Sequence, residues 1–155
     1  MNSLLIEPSE IDKYLSRLFP LNRSLTGNGN RETLKILGEI VPLKIIEYPA
    51  GTKVYDWTIP DEWSVRAAWI KNHAGKKLID WSESNLHIVG YSRSVHMHLT
   101  FEELESNLHY LEKFPDAIPY RPSYYNEDWG FCVTKKQRDA LSKAKGPLEI
   151  YIDAE

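Results

Sequence analysis

Residues Trp63–Trp81, WSVRAAWIKNHAGKKLIDW, decide the fold. Trp63, Val65, Ala67 and Trp69 alternate with Ser64, Arg66, Ala68 and Ile70, the period of two that gives a strand one buried face. Asn72-His73-Ala74-Gly75 has turn composition, and Lys77–Trp81 returns as a second strand. On this reading Trp63 and Trp69 are core anchors on the face shared with Val65 and Ala67.

The same reading extends in both directions. Toward the C-terminus, Leu86–Tyr91, Gly130–Val133 and Leu148–Ile152 have strand composition; toward the N-terminus, Leu43–Tyr48 and Val54–Ile59 form a predicted hairpin around Pro49–Thr52. Helices flank the strands. Ser9 with Asp12 resembles a capping box, and Ile11, Tyr14, Leu15, Leu18 and Phe19 make an apolar stripe that stops at Pro20. The glycine-rich SLTGNGN (Ser24–Asn30) opens a second helix, with Leu34, Leu37, Ile40 and Val41 at helical spacing before Pro42. Thr100 with Glu103 caps a third helix striped by Phe101, Leu104, Leu108 and Leu111, and Thr134 with Gln137 caps a fourth through about Leu141. Helices, then antiparallel strands, then helix and strand again define an α+β fold. The predicted divisions are 1–53 (N-terminal helices and first strand), 54–125 (a β-rich domain) and 126–155.

Five Trp and nine Tyr among 155 residues, with 42% hydrophobic and 26% charged residues, exclude a disordered chain. A formal charge of -3, with no Lys/Arg run longer than a pair, gives no footing for nucleic acid. The opening MNSLLIEPSE is too short in its apolar part for a signal peptide, and no run approaches the roughly 18 apolar residues of a membrane span. The expectation is a cytoplasmic chain without membrane contact. Cys132 is alone, which rules out an intrachain disulfide and a multi-cysteine zinc site.

Residues 118–133, IPYRPSYYNEDWGFCV, are the stretch with most binding chemistry. Tyr120, Tyr124, Tyr125, Trp129 and Phe131 supply contact area at low rotamer cost, while prolines and Gly130 fix the backbone and Asn126, Glu127 and Asp128 wet the rim. Arg121 can clamp a carboxylate or stack on a ring; the competing reading is a packed loop that seals the β-rich part. The candidate binding set is Arg121, Tyr124, Tyr125, Asn126 and Trp129, joined by Asn85 and His87 from the SNLH turn. Asn85 equally suits a turn cap. No residue is assigned as catalytic. Cys132 lies in an apolar strand and reads as a buried, inert thiol. His96-x-His98 places two imidazoles on one strand face and is the weak candidate for a metal, with His87, His109 and Asp80 as third ligands that nothing in the spacing selects. The alternative is two histidines with no metal role. SLTGNGN lacks the lysine and spacing of a phosphate loop and reads as a turn between helices.

Four motifs carry a resemblance: PLNRSLTGNGNRETLKIL (Pro20–Leu37), VYDWTIPDEW (Val54–Trp63), DWSESNLHIVGYS (Asp80–Ser92) and the aromatic loop. From about Leu15 to Leu141 the chain resembles the amino-terminal part of an aminopeptidase-like family, in which a zinc-peptidase-type α/β domain is interrupted by a small β-rich domain and followed by a winged helix. The resemblance implies a hydrolase whose zinc activates water, with metal ligands in a stretch beyond residue 155. Its expected His-x-Asp and Glu-Glu patterns do not occur here. It therefore implies a non-catalytic fragment, partnered by the remainder of the peptidase domain, in which the inserted domain 54–125 shapes or caps the substrate cleft. It also implies a link to polysaccharide biosynthesis. The alternative is a stand-alone carbohydrate- or peptide-binding module using the aromatic loop on a peptide or sugar-related ligand; a small metalloenzyme built on His96 and His98 is the third.

Overall fold

A computed structural model describes residues 8–23, 26–123 and 126–155, and the chain divides into two units, Met1–Glu62 and Trp63–Glu155. The first begins with α1 (Pro8–Leu18) and α2 (Asn28–Gly38). Arg17 forks onto both carboxylate oxygens of Glu39 at 2.6 Å, tying α1 to the end of α2. Leu43–Tyr48 then runs without regular structure, and β1 (Lys53–Val54) pairs with β2 (Trp57–Thr58). The hairpin therefore turns at Tyr55-Asp56, with Tyr55 at φ 55°, instead of at Pro49–Thr52. Thr52 does bond back to Pro49, yet that turn does not lay 43–48 on the second strand.

The apolar stripe of α1 forms a helix as expected but is not buried within this unit: Leu15 is 57% and Phe19 72% exposed. Two helices and a hairpin of two-residue strands offer no second layer for the stripe to pack on. Among the described residues of this unit only Gly27 is buried.

The second unit holds the core. Its sheet has the order β4 (Lys77–Asp80), β3 (Val65–Lys71), β8 (Leu148–Ala154), β5 (Val95–Leu99), antiparallel throughout. The β3–β4 turn is the expected one: Asn72 Oδ1 accepts from the amides of Ala74 and Lys76, and Gly75 takes φ 77°. Ile79, Ile70, Ile150 and Met97 lie side by side across the four strands and make the inner row. Phe131, Val133, Leu104, Leu141 and Leu148 complete the core. Phe131 lies in β7 (Phe131–Cys132), which pairs parallel with β6 (Leu108–His109). The capping boxes at Thr100 and Thr134 are realised in α3 (Phe101–Leu104) and α4 (Lys135–Leu141), whereas Ser9 is not a cap, since α1 already begins at Pro8. The α3 stripe is shorter than predicted, because a 3-10 turn at Glu105–Asn107 hands Leu108 to β6 and leaves Leu111 exposed.

The alternation at Trp63–Trp69 is interrupted. A bulge between Val65 and Ala67 leaves Arg66 without a partner in the register, so the faces exchange. Trp63 and Val65 pack on the core, but beyond the bulge it is Ala68 and Ile70 that are buried, and Trp69 turns to the opposite face. There Trp69 stacks on Tyr151 at 4.1 Å, with the ammonium groups of Lys71 and Lys77 near its ring. Leu86–Tyr91 is a 3-10 turn at Asn85–His87 followed by single bridges through Ile88 and Gly90, and not a strand. The divisions expected at residues 53 and 125 also differ from the structure. Leu148–Ala154 bonds to both β3 and β5, so 126–155 shares one sheet with the stretch before it, and the units meet at Glu62 and Trp63. No helix among the described residues is long and apolar enough to cross a membrane.

Candidate functional site

The aromatic loop and the SNLH segment are knitted together by backbone bonds. Gly90 and Pro122 bridge; Gly90 N donates to Arg121 O at 2.8 Å, Ser123 N to Gly90 O at 2.9 Å, Arg93 N to Asp128 O at 3.0 Å and Val89 N to Gly130 O at 3.0 Å. Trp63 adds the last residue of a third motif, donating Nε1–H to Ser92 O at 2.9 Å and stacking on Tyr91. A Cβ on Gly130 would lie 2.8 Å from Asn107 O, which is why a glycine stands where the loop re-enters the core.

Within this frame the candidate residues separate. Tyr120, Arg121 and Asn126 are exposed, and Asn85 is half-buried beside the Ser84 cap, whose Oγ accepts from Leu86 N. Trp129 is a core residue, 7% exposed, so it is not a rim aromatic. His87 is likewise buried: its Nδ1 donates to Cys132 O at 2.9 Å, because a carbonyl can only accept, which places a proton on Nδ1. Tyr124 and Tyr125 lie outside the described residues.

The rim has an electrostatic centre in Arg121, whose side chain has no ion pair or hydrogen bond among the described residues. The half-buried His109 is held below its ordinary pKa, first by burial and then by the Arg121 charge, with Asp128 acting the other way. Burial pushes the Cys132 thiol up to about 11 against the opposing pull of Arg121, so the cysteine is inert as expected. A guanidinium with no ion pair among the described residues, near His109 and an exposed amide, can receive a carboxylate or another oxyanion. Sequence reasoning named His109 and Cys132 but missed that they lie side by side within the electrostatic reach of Arg121: the parallel β6–β7 pairing sets them together, and its two-residue strands leave no periodicity to read.

Zinc does not fit the described residues. Among them no three His, Cys, Asp or Glu side chains come together in a group that could hold a metal ion. His96 and His98 share the outer sheet face with ring centroids 6.3 Å apart, and His96 Nε2 lies 3.2 Å from Glu149 Oε1. In the first unit, a Cβ on Gly29 in the first turn of α2 would collide with Asn22 O at 1.9 Å, so packing accounts for this glycine of SLTGNGN, of which Ser24 and Leu25 lie outside the described residues. Arg31, just after it, bonds Glu47 and Glu62 beside a cavity of about 410 Å³ lined in part by Thr26, Leu34, Ile45 and Trp57.

An α+β chain with an antiparallel sheet, built around these motifs, has known counterparts. Residues 62–155 match the family described as Domain of unknown function (DUF2172), and the chain belongs to that family. Over 145 residues it is 44% identical to a Clostridium acetobutylicum protein described as "Putative polysaccharide biosynthesis protein with aminopeptidase-like domain", covering 94% of this chain and 33% of that one. A crystal structure of a "putative peptidase" from Clostridium acetobutylicum is similar with a TM-score of 0.88 and 44% identity, over 95% of this chain and 34% of the other. The chain thus spans about a third of the length of these relatives.

Proposed function

We propose that the chain is the amino-terminal portion of an aminopeptidase-like zinc hydrolase of the cytoplasm, in which the Trp63–Glu155 unit shapes or caps the substrate cleft and is not catalytic by itself. The observation that carries this reading is the bare first unit. Eleven large apolar side chains are exposed there, among them Ile11, Leu15, Phe19, Ile46 and Tyr48, as expected of a surface meant to be covered by further protein. The relatives, three times as long and named for a peptidase-like domain, support a peptidase-like remainder as the cover. Zinc and its ligands belong, on this reading, to that remainder, and no step of the reaction is assigned to residues described here.

A second reading is favoured by Arg121. Its guanidinium, without an ion pair among the described residues and with exposed Tyr120 and Asn126, suits a carboxylate-bearing peptide or sugar-related ligand, and the polysaccharide wording in the relative's name makes an acidic sugar the first compound to try. Activity separates the two. The product of the natural gene should hydrolyse chromogenic amino-acid amides in a chelator-sensitive manner, and the 155-residue chain should not. Chelator-sensitive turnover by the 155-residue chain itself would overturn the first reading, and saturable binding of a uronic acid lost in Arg121→Ala would favour the second.

A further inference from the structure

Leu43–Tyr48, LKIIEY, has strand composition but no strand partner among the described residues. Its backbone neither donates nor accepts a hydrogen bond with any described residue. In extended geometry Leu43 and Ile45 point to one side and Ile46 and Tyr48 to the other, and all four are exposed, between 42% and 65%. A strand with one wet face alternates apolar and polar residues. Apolar residues on both faces mark a strand covered from two sides, as in a sheet flanked by helices. A row of free N–H and C=O groups between such side chains is a template for a further strand, and burying the side chains requires those groups to be paired. The charges allow it: Glu47 is already held by Arg31 at 3.0 Å, and Lys44 at the segment's start can keep its ammonium in water.

We propose that Leu43–Tyr48 is a docking strand that pairs with a β-strand from the part of the full-length protein outside these 155 residues, corresponding to the two thirds of the Clostridium relative that this chain does not cover. The proposal rests on the reading of the chain as a portion of a longer aminopeptidase-like protein and names the contact that joins the portions. Length selects this occupant over a second copy: a relative 44% identical along nearly this whole chain carries about twice as much sequence again, enough to build a sheet and its covering helices.

Amide hydrogen exchange tests it, on the product of the natural gene and on the 155-residue chain. Peptides covering residues 43–48 should exchange at least about a hundredfold more slowly in the gene product, as paired strands do. Radical footprinting of Ile11, Leu15 and Phe19 on the same samples separates the levels of the argument. Protected side chains with fast amides at 43–48 would overturn the docking strand and leave the larger reading standing. Fast amides together with reactive side chains would overturn both. Protection at 43–48 that appears in the 155-residue chain as its concentration rises would also overturn the proposal, in favour of pairing between copies.

Discussion

The first unit has helices with well-formed apolar stripes and a single buried residue, Gly27, among those described; the second has short, irregular elements and a closed core of Ile70, Ile79, Ile150, Leu104, Leu141 and Phe131. The contrast teaches that local pattern and burial are separate links in the chain of inference. A stripe specifies which face of a helix wants cover, but only another layer supplies it. In the second unit the layer is present, so 3-10 turns and two-residue strands suffice to hold the chain.

Cutting the molecule at the boundary is the largest way to break this comparison. Residues 63–155 expressed alone should unfold cooperatively in urea, whereas 1–62 alone should show no cooperative transition by circular dichroism; cooperative unfolding of 1–62 would mean that its two helices are self-sufficient. Next, Phe131→Ala in the intact chain should cost about 3–5 kcal/mol by denaturant unfolding, as emptied aromatic core sites do. Phe19→Ala, at a residue 72% exposed, should stay within about 0.5 kcal/mol. Equal losses would abolish the distinction between the units. Within the sheet, Ile70→Ala should destabilise more than Trp69→Ala, since the bulge at Arg66 gives the core to Ile70; the reverse order would put Trp69 back inside.

A smaller effect is expected from His109. Its folded pKa lies below the unfolded value near 6.5, so the unfolded chain binds the proton more readily, and stability must fall as pH drops below that value. His109→Gln should flatten this dependence in unfolding curves measured across the window; an unchanged slope would remove His109 as its source. Smallest of all is Glu62→Gln. The Arg31 clamp is open to solvent, its two side chains 40% and 49% exposed, and the unfolding midpoint should not move measurably at physiological salt.

The α+β class, the β3–β4 turn and the capping boxes at Thr100 and Thr134 were legible because each is encoded by neighbours in sequence: Asn72 to Gly75, Thr100 to Glu103, Thr134 to Gln137. The facing of Trp69 was not, since a bulge is a property of two paired strands, and Arg66 carries no local mark of it. The binding loop was located by composition, but composition cannot sort its rings. Trp129 went inward because Asn107 and Ser92 hold the backbone on either side of its carbonyl, and both lie far off in sequence. Val54–Ile59 was read as a single strand, whereas it contains the hairpin turn itself, because a turn at Tyr55 lacks the glycine or asparagine that usually signals positive φ.

The strand nearest the C-terminus is an inner one. β8 separates β3 from β5, so of the four-stranded sheet only a hairpin and a loose strand with no shared ladder precede residue 148. On the ribosome the sheet of the second unit must therefore wait, its Ile70 and Val95 edges open, until Leu148–Ala154 emerges and zips both sides together in one event. A pause in synthesis just before Leu148 would hold the chain at its most aggregation-prone, and a chaperone that binds extended apolar segments would find its best target there.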